Sequence, residues 1–83
     1  MRAGAPRRLY APRRVEVRTG DDGVPDAVAG VGVDALREHW LVEDRWWTPR
    51  PVLRSYFELV LADGRDTVVF RERRSGRWYR QRA

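Results

Sequence analysis

Alternation of apolar and polar side chains is strongest in the last third of the chain. Residues 55–61 (SYFELVL) place phenylalanine and leucine at every second position, as in a half-buried strand. Asp63-Gly64 is a typical hairpin turn, and residues 67–70 (TVVF) after it are β-branched and aromatic. A second turn at 74–76 (RSG) leads into 77–80 (RWYR). The pattern predicts a three-strand antiparallel meander.

The first third of the chain gives weaker strand signals. From Arg13 onward, Val15 and Val17 alternate with charged residues, which predicts a half-buried strand that the turn residues 21–23 (DDG) end. The apolar run 24–33 (VPDAVAGVGV) follows. Its proline fits a strand start or an edge strand, and its glycines indicate a bend or a bulge.

The segment 33–47 (VDALREHWLVEDRWW) has two interpretations. Val33, Leu36 and Trp40 form a helical stripe, whereas Leu36, Trp40 and Val42 alternate on one face of a strand. Periodicity alone leaves helix and strand open. The sequence TPRP at 48–51 then predicts a loop, because its prolines fit neither a helix interior nor a central strand.

These elements predict an all-β fold with five to six strands, arranged as a small antiparallel twisted sheet or a partly closed barrel of the SH3-like or OB-like kind. A chain of 83 residues has room for one compact domain, which we expect over residues 13–83. Residues 1–12 mix Gly, Pro, Ala and Arg without apolar periodicity and predict a flexible basic arm. Because the chain has no cysteine, apolar burial must stabilise the fold.

Hydropathy and the N-terminal sequence predict a soluble, cytoplasmic protein. The longest uninterrupted apolar stretch, 59–62, is far shorter than the roughly 20 residues that span a bilayer. The N-terminal arginines are not followed by the apolar region of a secretory signal.

The net charge of +5 is unevenly distributed. All 17 basic residues are arginine, in a composition typical of GC-rich coding, so the charge alone is weak evidence for nucleic-acid binding. The first 14 residues hold five arginines and no acid, and residues 71–83 hold six arginines against Glu72. Residues 15–70 hold six arginines and eleven acids. Both ends of the chain are therefore basic, and the middle is acidic.

Residues with catalytic or metal-binding chemistry are scarce. The only histidine is His39, the only serines are Ser55 and Ser75, and lysine and cysteine are absent. The acid pairs at 21–22 and 43–44 are explained by turn chemistry and by neighbouring side chains on opposite strand faces. No phosphate-binding glycine motif occurs. We therefore expect no enzyme activity, catalytic residue, cofactor, metal or small-molecule substrate.

Aromatic residues are the remaining signal. Trp40, Phe57, Phe70 and Trp78 lie within apolar alternation, which favours a role in a small β core. The adjacent pair Trp46-Trp47 is different, because neighbouring side chains on an extended chain point to opposite sides. One of the two is expected to be exposed, where a tryptophan beside arginines suits either base stacking or a protein interface.

The residues from Arg45 to the C-terminus carry a resemblance to a known module. They run R-W-W, then R-S-Y-F-E-L-V-L-A-D-G-R, then V-V-F-R-E-R-R-S-G-R-W-Y, a pattern of paired tryptophans, an arginine-aromatic strand, an acidic-Gly turn and a closing G-x-W. The run resembles the C-terminal module of ImuB-type proteins, which are inactive relatives of Y-family polymerases in bacterial mutagenic translesion synthesis. It is more similar still to small stand-alone proteins of unknown function from high-GC bacteria. The resemblance implies that 33–42 is a strand and that the role is accessory and non-catalytic.

Two functional hypotheses follow. The first is a protein-interaction module linked to DNA damage tolerance, with a translesion or mutasome component as its partner. Its binding surface is predicted around Trp46, Trp47, Arg50, Arg54 and Tyr79. An exposed sheet edge can also recruit a partner strand.

The alternative is direct binding of single-stranded DNA or RNA, with arginines on phosphates and aromatic side chains on bases. It requires the C-terminal arginines to converge on one positive face with the N-terminal arm. The residues predicted for it include Arg71, Arg73, Arg77 and Arg80.

Overall fold

The computed structural model describes residues 11–45 and 47–81, which form a single curled antiparallel sheet without helices. The predicted all-β fold is confirmed. The strands lie in the order β1-β7-β6-β5-β4-β3-β2. Their bounds are β1 Arg13–Arg14, β2 Val17–Thr19, β3 Pro25–Val28, β4 Val31–Asp44, β5 Val52–Leu61, β6 Asp66–Glu72 and β7 Trp78–Gln81.

The predicted meander is strands β5, β6 and β7. The turn at Asp63-Gly64 joins β5 to β6, and Gly64 adopts a φ of 89°, which glycine tolerates without steric cost. The next turn, at Ser75-Gly76, joins β6 to β7. Both predicted turns are therefore confirmed.

The apolar run 24–33 contains a hairpin that the sequence interpretation did not recognise. Val28 pairs with Val31, so Ala29 and Gly30 form a two-residue turn between β3 and β4. Both turn residues have positive φ, 49° and 82°, as tight hairpins require. The prediction that Pro25 begins a strand is confirmed.

The segment predicted as one strand from Arg13 is two short strands that join the ends of the sheet. β1 pairs with β7, whereas β2 pairs with β3. Between them, the Val15 amide donates to the Trp78 carbonyl at 3.2 Å, and the Glu16 carbonyl accepts from the Ala29 amide at 2.8 Å. The sheet is therefore a partly closed barrel, and this split explains why seven strands occur where five to six were predicted.

Residues 33–42 belong to strand β4, as the resemblance implied. The register between β4 and β5 shifts twice, which leaves Asp34 and Arg37 as extra residues. The second shift puts Leu36, opposite Leu59, on the other face from Trp40, opposite Tyr56. The expectation that Leu36 shares a face with Trp40 is therefore wrong.

The core lies on the concave side of the curled sheet, which we call the inner face. Its buried cluster joins β3, β5 and β6, with partly buried valines and Trp78 packed against it. Its members are Val28, Phe57, Leu59, Leu61 and Val69, none more than 5% exposed. Each such side chain contributes roughly 1.5–3 kcal/mol when fully buried, so this cluster carries much of the stability.

The arm predicted over residues 1–12 falls almost wholly outside the described residues. Only Ala11 and Pro12 are described, and both are exposed. The flexibility of the arm stays a prediction.

Candidate interaction surface

Four aromatic side chains on neighbouring strands form a continuous row on the face opposite the core, which we call the outer face. Trp40 lies opposite Tyr56, Tyr56 opposite Phe70, and Phe70 opposite Tyr79. Their ring centroids are 5.2, 4.8 and 5.3 Å apart, with interplanar angles of 9°, 33° and 21°. We call this row the outer ladder. Phe70 is only 2% exposed, although the described strands form one sheet and no second sheet of described residues covers the outer face. The contacts within the ladder therefore bury Phe70.

Two arginines complete the outer ladder. The Arg54 guanidinium carbon lies 4.6 Å from the centre of the Phe70 ring, and Arg54 Nη1 donates to the Tyr56 hydroxyl at 3.2 Å. At the β1 end of the ladder, the Arg14 guanidinium lies 6.0 Å from the centre of the Tyr79 ring. Both arginines are therefore held by cation–π contacts to the ladder.

A shorter row of rings occupies the inner face. His39 stacks on Phe57 with centroids 4.4 Å apart and an interplanar angle of 5°. Phe57 in turn contacts Trp78 at 5.5 Å with a tilt of 42°. We call this row the inner ladder. His39, although exposed, therefore packs against a core residue.

The ladders leave few ring faces for a ligand. Stacking of a nucleic-acid base needs an open aromatic face. The faces of Tyr56, Phe70 and Phe57 are turned toward neighbouring rings within their ladders. Trp40 and His39 lie on β4 and stack toward the sheet interior, so their other faces point away from the sheet. Among the described residues, the ladder faces without a ring partner therefore lie at β4.

Strand β4 has a long unpaired edge. β3 pairs only with Val31 and Gly32, whereas β5 pairs with β4 from Val33 to Asp44. On its other side, residues 33–44 have no strand partner among the described residues, and we call this side the free edge. From Glu38 to Asp44 the register with β5 is unbroken, so this part of the edge is a regular template for another strand.

Exposed apolar and acidic side chains line the free edge. Leu36 is 42% exposed and Leu41 is 58% exposed, both on the inner face with His39. Glu38, Glu43 and Asp44 are all exposed. Within the described part of the chain, none of these three carboxylates forms an ion pair with an arginine.

The arginines and aromatic residues predicted from the sequence do not converge on one surface. Arg54 and Tyr79 share the outer face, whereas Arg71 and Arg80 lie opposite Ser55 and Val69, on the inner face. Arg50, Arg73 and Arg77 are exposed in the connections between strands, and Trp47 is 66% exposed in the turn after β4. Trp46 lies outside the described residues.

The basic residues are nevertheless concentrated at the β1–β7 side of the sheet. Arg13 lies directly opposite Arg80, a pairing of like charges that is unfavourable by itself. Arg80 Nε is buried without a hydrogen-bond partner, and no described carboxylate forms an ion pair with either residue. This side of the sheet is positive, and the free edge on the far side is negative.

Two carboxylates on the meander stabilise turns rather than forming a site. Glu72 accepts a hydrogen bond from the Ser75 amide at 2.8 Å, which holds the pKa of Glu72 below its ordinary range. Asp63 accepts from the Arg65 amide at 3.1 Å, and this bond lowers the pKa of Asp63 in the same way. Both acids are therefore explained by the turns that they close.

A cavity of about 480 Å³ opens where β5 and β6 extend past the end of β7. It brings two acids near two arginines, and its other polar side chains are a threonine and a glutamine. Its lining residues are Glu58, Leu61, Arg65, Asp66, Thr67, Val68, Arg80 and Gln81. Among the described residues that line it, Thr67 carries the only hydroxyl group, and none carries an imidazole.

Sequence reasoning missed the outer ladder and the free edge. The turn centred on Asp63 places Tyr56 and Phe70 opposite each other, since each lies seven residues away from it. The turn between Arg74 and Ser75 similarly pairs Phe70 with Tyr79. Counting outward from the two predicted turns would therefore have revealed three members of the ladder.

Comparison of the chain with protein-family models, with curated proteins and with solved structures gave no match. The likeness to ImuB-type proteins therefore stays a prediction. Among residues 11–45 and 47–81, no group of three or more histidine, aspartate or glutamate side chains is placed to hold a metal ion. The same residues contain no helix that is long and apolar enough to cross a membrane.

Proposed function

We propose that this chain is a non-catalytic protein-interaction module that binds an extended segment of a partner protein along the free edge of β4. The observation that carries the proposal is the unpaired, regular stretch Glu38–Asp44 with exposed Leu41 on it. An extended peptide pairs with such an edge through main-chain hydrogen bonds and gains specificity from alternate side chains. In a folded protein, an exposed edge with apolar side chains is normally blunted or covered.

The proposed setting is bacterial translesion synthesis or DNA damage tolerance, with a translesion or mutasome protein as the partner. This part of the proposal comes from the resemblance of residues 45–79 to the C-terminal module of ImuB-type proteins. Such a module acts by recruitment, which agrees with the scarcity of catalytic side chains. We therefore place the module in the cytoplasm.

Site-specific photo-crosslinking in cells tests both parts. A photoreactive amino acid at Leu41 should give one discrete protein adduct, whereas the same group at Thr19, an exposed position on β2, should not. Mass spectrometry then identifies the partner, which we expect to be a translesion component. The purified partner should bind at least about tenfold more weakly to Leu41→Asp than to Thr19→Asp, since hot-spot truncations cost 2 kcal/mol or more.

Two results would oppose the proposal in different ways. If Leu41 and Thr19 give the same adducts, or the purified partner binds both aspartate variants equally, the free edge is not the binding surface. If the adduct forms but the partner belongs to another process, the interaction role stands and the translesion setting is wrong.

A second candidate function is binding of a single-stranded nucleic acid by the β1–β7 side of the sheet. The observation that favours it is the Arg13–Arg80 pair, two arginines at opposed positions with no ion-pair partner among the described residues, which a phosphate would neutralise. Fluorescence anisotropy with labelled single-stranded DNA or RNA across a salt series tests it. The variant Arg13→Gln/Arg80→Gln should reduce the salt slope by about 2, and Arg37→Gln/Arg65→Gln, matched in net charge, should not. If both variants lose the same amount of salt slope, the binding is a non-specific electrostatic attraction.

A further inference from the structure

The two ladders end at the free edge with rings, Trp40 and His39, that have no ring partner on that side among the described residues. On the outer face, Trp40 stacks on Tyr56 at 5.2 Å, and on the inner face His39 stacks on Phe57 at 4.4 Å. A strand added along β4 would place one side chain directly opposite Trp40, about 5 Å away across the edge. Its two neighbours in sequence would point to the other face, beside His39 and Leu41. The side chain opposite Trp40 therefore continues the outer ladder.

The other end of the outer ladder shows which side chain terminates it in this protein. There, the short strand β1 places Arg14 opposite Tyr79, with the guanidinium 6.0 Å from the ring centre. A guanidinium is planar and cationic, so it covers an aromatic face while keeping its donors in water. The same chemistry fits the open face of Trp40.

The charges along the free edge favour a cation at that position. Glu38 and Asp44 lie on the outer face with Trp40, on either side of it, and Glu43 lies on the inner face. All three carboxylates are exposed and without an ion-pair partner among the described residues. The nearest β4 arginine, Arg37, lies 3.8 Å from Asp66 and outside the regular stretch. An acidic strand would meet like charges here, and a basic one would be attracted.

We propose that the partner segment carries an arginine opposite Trp40, flanked on both sides by apolar residues. The arginine stacks on the open face of the indole between the carboxylates of Glu38 and Asp44. The flanking apolar side chains cover Leu41 and His39 on the inner face. The occupant is thus an extended apolar-Arg-apolar segment of a partner protein, and this inference rests on the proposed strand addition at β4.

Selection from a displayed library of random peptides of about nine residues, a length that covers the regular edge, tests the inference. Enriched peptides should share the apolar-Arg-apolar pattern and lack acidic residues around it. An enriched peptide is then synthesised, and its binding to the wild-type chain is compared with its binding to Glu43→Lys and to Asp21→Lys. Asp21 is an exposed acid in the turn before β3, so Asp21→Lys is the matched charge control. We expect Glu43→Lys to weaken binding several-fold and Asp21→Lys to leave it unchanged.

A double-mutant cycle isolates the contact with Trp40. Replacing the arginine of the winning peptide with alanine should weaken its binding to the wild-type chain about two- to fivefold, which corresponds to a cation–π contact at a partly exposed site. Against Trp40→Thr, the advantage of the arginine peptide over the alanine peptide should be smaller, because only the attraction to Glu38 and Asp44 remains. Because the cycle compares two peptides on the same protein, any general weakening by the substitution cancels. Circular dichroism confirms that Trp40→Thr retains the β fold.

The outcomes separate this inference from the proposed function. If no peptide is enriched, or if the enriched peptides bind Leu41→Asp as tightly as the wild-type chain, strand addition at β4 is wrong. If peptides bind at β4 without a preference for arginine, or if Trp40→Thr leaves the preference undiminished, strand addition stands and the arginine contact with Trp40 is wrong. If the protein is a dimer in sedimentation that Leu41→Asp dissociates, the occupant is a second copy of the chain, which also overturns the inference.

Discussion

Replacing Phe70 with leucine tests whether the outer ladder stabilises the fold. Phe70 is 2% exposed and contacts rings on both sides, Tyr56 at 4.8 Å and Tyr79 at 5.3 Å, with the Arg54 guanidinium 4.6 Å from its ring centre. Leucine keeps most of the buried apolar area but has no aromatic ring. The substitution therefore isolates the ring contacts from simple burial.

The expected loss follows from three contacts. Each aromatic pair contributes roughly 0.5–1.5 kcal/mol beyond burial. The cation–π contact to Arg54, which is half-buried, contributes roughly 0.5–1 kcal/mol. Allowing for partial repacking around leucine, we expect Phe70→Leu to lower the free energy of unfolding by about 2 kcal/mol. For a domain of this size, that loss lowers the Tm by about 10 °C.

Urea unfolding followed by circular dichroism measures the loss, with the m-value checked for a change in the unfolded state. Val68→Ala is the control, because Val68 lies on the same strand and face but is not one of the rings of the outer ladder, and it should cost about 1 kcal/mol or less. A cycle of Phe70→Leu with Arg54→Met should give a coupling energy of roughly 0.5–1 kcal/mol. If Phe70→Leu costs less than about 0.5 kcal/mol, the ladder adds nothing beyond burial.

Three further predictions concern the turns and the charges of the sheet. Ala29 has a φ of 49° in a two-residue turn, so Ala29→Asn should raise the free energy of unfolding by about 0.5–1 kcal/mol in urea unfolding, and an unchanged value would contradict this turn type. Because the pKa of Glu72 is lower in the folded state than in the unfolded state, ionised Glu72 stabilises the fold, and the free energy of unfolding should fall as the pH drops below about 4. Glu72→Gln should flatten this pH dependence, and an unchanged pH profile in this variant would contradict the prediction. Glu38 lies opposite Glu58, so Glu38→Thr should raise the Tm by a few degrees at low salt and less at high salt, whereas a drop would show that the two acids do not repel each other.

The meander was predictable because local chemistry determines it. Asp63-Gly64 and Ser75-Gly76 are turn sequences, and the alternation in β5 places Phe57 on the buried side without any knowledge of the partner strand. The turn between β3 and β4 was not predicted, because Ala29-Gly30 has the composition of an apolar run. Only its backbone, with two positive φ angles, shows that it is a hairpin.

The geometry of β4 could not be read from the sequence. Face assignment by alternation assumes an unbroken register, and the extra residues Asp34 and Arg37 break it twice. For this reason Leu36 lies with Leu41 on the inner face rather than with Trp40. The free edge is also a property of topology, because β3 pairs with only two residues of β4 and no local pattern encodes that length. The site residues were harder to predict than the fold because they depend on these long-range pairings.

The small core links the proposed binding to stability. Only seven hydrophobic residues of the described chain are buried, and two of them, Phe57 and Phe70, are members of the ladders. On strand β4 the ladders end at Trp40 and His39, whose ring contacts among the described residues, to Tyr56 and Phe57, lie on the β5 side only. A strand that binds β4 adds the missing neighbours and binds the folded state alone. At a free concentration of about 100 times its Kd, such a ligand would stabilise the fold by about 2.7 kcal/mol. That increase exceeds the loss expected from Phe70→Leu, so saturating peptide should restore the Tm of this variant. Failure to restore it, with binding to the folded variant shown independently, would mean that the peptide also binds the unfolded chain.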